Sequence, residues 1–420
     1  MFVEKTPWKA TVTAIFLSFL FIASGHAAPA DKDPVTIAII DPLTGPMAGV
    51  GLPLVAHMKF EAERLNADGG MNGHPFRIIG LDNKVSPQES LVQLQKAADD
   101  GVRYIVQGNG SSVGSALISA IDKHNRRNPG EEMLYLNHGA VDPVLTNERC
   151  SFWHFRFDAG ADMKMNALTN WIQGQKDIKK VYLINQDYSF GHSVSSMARE
   201  MLKEKRPDIE IVGNDFHPLA KVKDFTPYVS KIKASGADAI ISGNWGQDMV
   251  LLAKTLADFG VDAPFLTYYA GSPGTVTQVG DRGVDRIYQI YAYYGDTEDP
   301  EIGQRQKEMY QQTDWDYFLF YPRLTTMMEM LKKAADQAGS VDPVEIAFAM
   351  EGMSVDMDTG TYTMRKKDHQ VQQPMVLSVM KGDMPYGAEG TDYNFAKVAR
   401  IAAEDVAMPS TCRMRRPSRD

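Results

Sequence analysis

Apolar positions follow two alternating rhythms along this chain, short unbroken blocks and longer stretches of helical period, and that alternation predicts a layered α/β protein. Val35 to Ile40 is a continuous apolar block of strand length, the pattern of a parallel strand buried on both faces. After the loop from Asp41 through Val50 to Gly51, a helix carrying Val55, Met58, Phe60 and Leu65 ends at Asp68-Gly69-Gly70. Phe76 to Leu81 reads as a second strand. Ser86-Pro87-Gln88-Glu89 is then a capping box with proline at the first helical position, opening a helix with Leu91, Leu94 and Ala98. Tyr104 to Gln107 and Met133 to Leu136 are the third and fourth strands.

The same pattern restarts downstream. Strands are expected at Lys180–Ile184, Ile209–Val212, Ala239–Ser242 and Phe265–Thr267, with helices through Arg199, near Tyr228–Ile232 and over Asp248–Phe259. Ile287 to Tyr293 is strand-like and aromatic. Pro300–Tyr310, Phe320–Ala338 and Pro343–Glu351 read as helices with no strands between them, so they are expected to pack back on the first unit. The predicted architecture is α/β, two doubly wound parallel-sheet lobes joined by a hinge that the chain crosses more than once. Lobe 1 is expected over 34–155 plus 289–355, lobe 2 over 156–288 plus 356–385, and a C-terminal extension over 386–420.

Composition narrows the class. The chain has 420 residues, formal net charge −9, 44% hydrophobic and 23% charged residues, enough for two domains with sizeable cores. No basic stripe offsets the acidic balance, which argues against nucleic acid as a partner. Lys5 and Lys9 precede an apolar run from Ala10 to Ala23, and Gly25-His26-Ala27 follows, the layout of a signal peptide over 1–27. Export to the periplasm is expected, without a lipid anchor because no cysteine lies near the cleavage site. Cys150 and Cys412 are the only cysteines, and in an oxidising compartment they are expected to form a disulfide tying the tail to lobe 1; two free thiols are the alternative.

The chemistry concentrates in Gly108-Asn109-Gly110-Ser111-Ser112-Val113-Gly114, where a strand gives way to a helix with two hydroxyls and unpaired amides at its N-terminus. Such a turn can hold an anion. It also fits the G-x-S-x-G nucleophile elbow of a hydrolase, with Ser112 as nucleophile. A dinucleotide loop is the weaker match, because its last glycine spacing is one residue too long. A hydrolase needs a later acid and histidine; Asp356 or Asp358 and His369 give the right order, but Arg365-Lys366-Lys367-Asp368-His369 reads as an exposed turn. His57, His138, His154 and His192 have no partners at metal-ligand spacing, so neither metal nor cofactor is expected.

Several motifs in order then resemble a known family, the leucine/isoleucine/valine-type periplasmic binding proteins of ABC importers, two-lobed receptors of type I. They are Ile39-Ile40-Asp41-Pro42-Leu43-Thr44-Gly45-Pro46, Asn66-Ala67-Asp68-Gly69-Gly70-Met71-Asn72-Gly73, Gly110-Ser111-Ser112, Gly139-Ala140-Val141-Asp142-Pro143 and the Tyr188–Gly191 loop. The resemblance implies a ligand carboxylate held by Ser111, Ser112, Ala140 and Val141. It implies second-lobe loops closing over the ligand near Tyr188, Phe190, Asn244 and Trp245; the aromatic side chains Tyr268, Tyr269 and Tyr317 can reach the same cleft, and Val50 is a further candidate for the ligand body. The implied partners are a small-molecule carboxylate and an inner-membrane ABC permease, and the implied state is a monomer.

Where amino-acid binders of the family carry a glutamate for the ammonium group, this chain has Thr267-Tyr268-Tyr269-Ala270, and where they carry a threonine it has Val141. A buried ammonium without a carboxylate partner is costly. The expected ligand is therefore an aromatic acid. A branched-chain or other hydrophobic amino acid is the alternative, with Asp187 or Asp248 as its ammonium partner. A ligand-sensing module is a further alternative, although no second hydrophobic segment is present to anchor one.

Overall fold

The computed structural model describes residues 32–292, 295, 308–309, 311, 321–357 and 359–418. The leader expected over 1–27, most of the helix expected over 300–310, Tyr317 and Asp358 lie outside the described residues.

Lobe 1 is built on strands β1 (Val35–Asp41), β2 (Phe76–Asp82), β3 (Tyr104–Gln107), β4 (Leu134–Asn137) and β5 (His154–Arg156), with helices α1 (Ala48–Ala67), α2 (Pro87–Asp99) and α3 (Ser111–Arg127). The strands are all parallel in the order β2-β1-β3-β4-β5. β1 shows why its apolar block is unbroken. Ile37 and Ile39 join the core beneath α1, while Ala38 and Ile40 point to the opposite core with Leu94, Val113 and Leu117. Both faces are covered, and each buried isoleucine contributes roughly 1.5 to 3 kcal/mol. The Ser86 hydroxyl caps α2 by accepting the Glu89 amide, as the capping box predicts.

Lobe 2 contains α4 (Ala161–Gln173), β6 (Lys180–Gln186), α5 (Ser189–Lys205), β7 (Glu210–His217), α6 (Thr226–Ser235), β8 (Ala239–Ser242), α7 (Gly246–Asp258), β9 (Phe265–Thr267), α8 (Thr275–Val279) and β10 (Ile287–Tyr291). Its sheet runs β7-β6-β8-β9-β10, parallel and in the same relative order as lobe 1. Two further strands extend it antiparallel beyond β10. Helices α9 (Pro322–Ala338) and α10 (Pro343–Met350) pack on lobe 1, as do the short hairpin strands β11 (Ser354–Met357), β12 (Gly360–Met364) and β13 (Val371–Gln372). The strands that extend lobe 2 are β14 (Met375–Lys381) and β15 (Asn394–Ile401), followed by the short α11 (Ala403–Val406).

Three expected boundaries shift. A break between 288 and 289 falls inside β10, because Tyr288 to Tyr291 all pair with β14 in the second sheet. Residues 356–372 were expected in lobe 2, but Tyr362, Met364 and Val371 fill the lobe 1 core; only from β14 onward does the chain return to lobe 2. The extension expected over 386–420 supplies a sheet strand, β15, before it becomes a tail.

The chain thus crosses between lobes at 156–161, on the way from β10 to α9, at 372–375 and again at 406–412. The last crossing is covalent: Cys150 and Cys412 form the expected disulfide across a sequence separation of 262 residues. Beyond it Arg416 pairs with Glu351 at 2.9 Å and reaches the Lys366 carbonyl at 2.6 Å. Burial would raise the Glu351 pKa, but the hydrogen bonds from His369 and Arg416 outweigh it and hold it at about 2.

Candidate functional site

Strand order reverses between β1 and β3 in lobe 1, and between β6 and β8 in lobe 2. Ligands of open α/β sheets bind beyond the carboxyl ends of strands at such a reversal. Here the two reversals face each other across a cavity lined by residues of both lobes.

The lobe 1 wall is made of loops with little side chain. Gly110 caps α3 at φ 99°, a conformation that favours glycine, and it turns the chain so that Ser111 opens the helix at the cavity. Buried Asp41 pins the same loop. Its Oδ1 accepts the amides of Gly108 at 3.3 Å and Asn109 at 3.0 Å, while its Oδ2 lies 2.6 Å from His138 Nε2. Those two amides are therefore spent. The Ser111 Oγ accepts the Asp142 amide at 3.3 Å, which leaves its own proton available, and Asn109 Nδ2 is buried without a partner among the described residues. Val50, Gly139 and Val141 complete this wall.

The lobe 2 wall is aromatic. Tyr188, Phe190, Trp245, Tyr268 and Tyr269 all line the cavity. They brace one another: Trp245 Nε1 donates to the Tyr188 hydroxyl at 2.8 Å, and ring centroids lie 5.9 Å apart for Tyr188–Phe190, 6.4 Å for Phe190–Tyr268 and 6.2 Å for Tyr268–Tyr269. These separations fall in the favourable range for tilted and edge-to-face aromatic pairs, so the rings support one another as a single wall. The loop from Gly271 to Pro273 closes one side.

The lobes touch around the cavity. Ser193 of α5 donates to Asp142 Oδ1 at 3.2 Å. Gly246, at φ 61° and the first residue of α7, sits so close to lobe 1 that a Cβ there would stand 2.6 Å from Met47 Sδ. This is a closed arrangement.

A third group of lining residues was not anticipated: Gln289 and Tyr291 on β10, with Tyr321 and Arg323 at the start of α9. Arg323 is 6% exposed. Its Nη1 donates to the Tyr291 hydroxyl at 2.5 Å and stands 3.6 Å from Asp158 Oδ2. Asp158 in turn accepts Lys164 Nζ at 2.8 Å and the Tyr269 hydroxyl at 3.3 Å. Burial pushes the Lys164 pKa down to about 8, against the pull of Asp158 and with a further push from Arg323.

Four expected site residues stand elsewhere. Ser112 is exposed and outside the cavity. Ala140 is buried behind the wall, its amide already bonded to Asn137 Oδ1 at 2.8 Å. Asn244 is buried with its Nδ2 2.7 Å from His217 Nε2, outside the lining. Tyr317 is outside the described residues. The two acids offered as ammonium partners are also occupied elsewhere: Asp187 is exposed and 2.8 Å from His192 Nε2, and Asp248 accepts Gln186 and the Ala220 amide. None of the residues found lining the cavity is acidic.

The hydrolase pairing meets a different geometry from the one expected. His369 is not in an exposed turn; it is buried, 3.1 Å from Glu351 and stacked on Phe155 at 3.9 Å. Among the described residues no group of three or more His, Cys, Asp or Glu could hold a metal, and no helix is long and apolar enough to cross a membrane.

A family model described as periplasmic binding protein matches residues 34–384. Leu/Ile/Val-binding protein homolog 4 of Brucella abortus is 32% identical over 402 residues, covering 93% of this chain and 95% of the relative. Among solved structures, the closed conformation of a leucine-, isoleucine-, valine-, threonine- and alanine-binding protein from Brucella ovis superposes with TM-score 0.82 at 30% identity, covering 92% of this chain and all of that one. A solute-binding protein of an ABC transporter from Rhodopseudomonas palustris, in complex with 3,4-dihydroxybenzoic acid, matches with TM-score 0.74 at 18% identity over 89% of this chain and 98% of that one, a likeness of fold.

Proposed function

This chain belongs to the periplasmic binding protein family, the solute-binding components of ABC importers, and we propose that its ligand is a small aromatic carboxylate enclosed between the lobes. One observation carries the reading: an interlobe cavity with an aromatic wall, hydrogen-bond donors opposite it and no acidic residue found in its lining. An α-amino acid brings an ammonium group that would be buried there without a carboxylate, a cost of several kcal/mol. A ring acid brings only what these walls complement. The Rhodopseudomonas palustris protein, of the same fold, holds 3,4-dihydroxybenzoic acid.

Capture proceeds by hinge closure. The acid docks first on the Gly110-Ser111 turn of lobe 1, where the unpaired amides of the first turn of α3 and the Ser111 hydroxyl meet negative charge. Lobe 2 then folds its aromatic wall over the ring, and binding favours closure by the difference in affinity between the two states. The closed protein, a monomer in the periplasm, delivers its ligand to an inner-membrane permease. A branched-chain amino acid is the second reading, favoured by the names of the Brucella relatives.

A thermal-shift panel of benzoate, 4-hydroxybenzoate and 3,4-dihydroxybenzoate against leucine, isoleucine and valine separates the two. A ligand at 100 times its dissociation constant adds about 2.7 kcal/mol of stability. Stabilisation by the ring acids alone is expected; stabilisation by the amino acids alone would replace this reading with the second.

A further inference from the structure

Resting on the reading that the cavity takes a carboxylate, we propose that Arg323 is the residue that pairs with the ligand's negative charge, and that Asp158 competes with the ligand for it. Arg323 enters the cavity wall from the first turn of α9, well away in sequence from the serine turn. Its guanidinium lies against lobe 1: a Cβ built on Gly139 would stand 3.8 Å from both Cζ and Nη2, and 3.4 Å from the Gly108 carbonyl oxygen. The rings of Tyr291 and Tyr321 flank it, with centroids 5.5 and 5.0 Å away.

What the guanidinium lacks is a full counter-charge. The nearby carboxylate, Asp158, is 1% exposed and is held more closely by Lys164, at 2.8 Å against 3.6 Å for Arg323. Two buried cations therefore share one buried anion. Arg323 Nε is also buried without a hydrogen-bond partner among the described residues, and the unpartnered Asn109 Nδ2 lines the same cavity. A buried cation with an unused donor edge is costly, and a planar guanidinium matches a carboxylate in two-point geometry. The oxyanion of a ligand supplies the missing charge and acceptors together. A ligand carrying an ammonium group restores the imbalance that its carboxylate relieves, so the same pairing selects acids that have no amine.

Asp158 then has a definite role. It lies on the crossing at 156–161, and Tyr291 ends β10 of the lobe 2 sheet, so Arg323, on a helix packed against lobe 1, touches both that crossing and the second lobe. With the cleft empty Asp158 draws on Arg323; with an acid bound the ligand takes that place.

Calorimetric titration with benzoate and with its neutral isostere benzamide tests this in the wild type, Arg323→Met and Asp158→Asn. Arg323→Met is expected to weaken benzoate by about 30-fold or more while changing benzamide by less than about threefold. Asp158→Asn is expected to tighten benzoate by about three- to tenfold, since it removes a competitor for Arg323. A purely structural role for the cluster would weaken both probes alike in both variants, and that result would overturn the inference. So would benzoate affinity retained in Arg323→Met, or lowered in Asp158→Asn. If Arg323→Met does not fold, the sign of the Asp158→Asn effect decides alone. A wild type that binds no benzoate would sink the aromatic-acid reading itself, and the inference with it.

Discussion

The two walls of the cleft use opposite materials on the same sheet order. Both lobes run 2-1-3-4-5 and both present the carboxyl ends of their strands, yet lobe 1 offers glycines and a serine at helix α3, whereas lobe 2 offers six aromatic rings. Shared topology sets where a ligand sits; the loop residues decide what it is. The lobe 1 wall is fixed by buried Asp41, which holds the loop through two amides and His138, so its donors are aimed in advance. The lobe 2 wall contributes area and shape, and it acts only when the lobes meet.

That division makes the two walls separable by mutation. Trp245→Ala removes a large ring braced against Tyr188 and is expected to cost about 2 to 3 kcal/mol, a loss of roughly 30- to 100-fold in affinity for a ring acid. The loss should appear in the dissociation rate, because lobe 2 closes after docking. Ser111→Ala is expected to weaken the same acid by about tenfold, since hydrogen bonds to a charged group contribute about 1.5 to 3 kcal/mol. Ser112→Ala, one residue on but exposed, should change affinity by less than about twofold. Equal effects at 111 and 112, read by surface plasmon resonance or calorimetry, would remove the helix turn from the site.

A smaller effect should come from pH. Lys164 has a pKa near 8, lowered by burial from the usual 10.5, so it is charged below that value and neutral above it. An anion in the cavity favours the charged form. Its affinity should therefore be highest below pH 8 and fall by about three- to fivefold as pH rises through 8 to 9.5. Lys164→Met should flatten that profile. A profile that rises with pH in the wild type would contradict a donor-rich, cationic cleft.

Much of the fold is legible along the chain. β1 to β4, β6, β8 and β9 announce themselves as apolar blocks because both faces of a parallel sheet are covered. Of the missed strands, β14 carries that signal in Met375-Val376-Leu377-Ser378-Val379-Met380 and was overlooked, while β11 to β13 and β15 lack it. β15 is an edge strand with Lys397, Val398 and Arg400 toward solvent, and β11 to β13 are short hairpin strands whose pairing depends on the lobe 1 core beneath them. Register and partner choice there are settled by tertiary packing.

Of the cavity wall, the residues in the turns and helix starts that follow strands were the readable part: Val50, Ser111, Val141, Tyr188, Phe190, Trp245, Tyr268 and Tyr269 all line it. Ser112, Ala140 and Asn244 are sequence neighbours of lining residues whose own groups turn elsewhere, a distinction of side-chain direction that motif spacing does not carry. Arg323 escaped because Pro322-Arg323-Leu324-Thr325-Thr326-Met327 reads as the opening of a core helix. The signal was present, however: an arginine in the first turn, before a run in which Leu324, Met327, Met328 and Leu331 are all buried, needs a partner.

The most direct measurement is a paired titration of protein stripped of bound solute by unfolding and refolding, using 3-phenylpropanoate and phenylalanine, which differ at one carbon by an ammonium group. A cleft of donors and rings predicts heat and saturation with 3-phenylpropanoate and an affinity for phenylalanine at least about 100-fold lower. Phenylalanine bound as tightly as 3-phenylpropanoate, or more tightly, would contradict it.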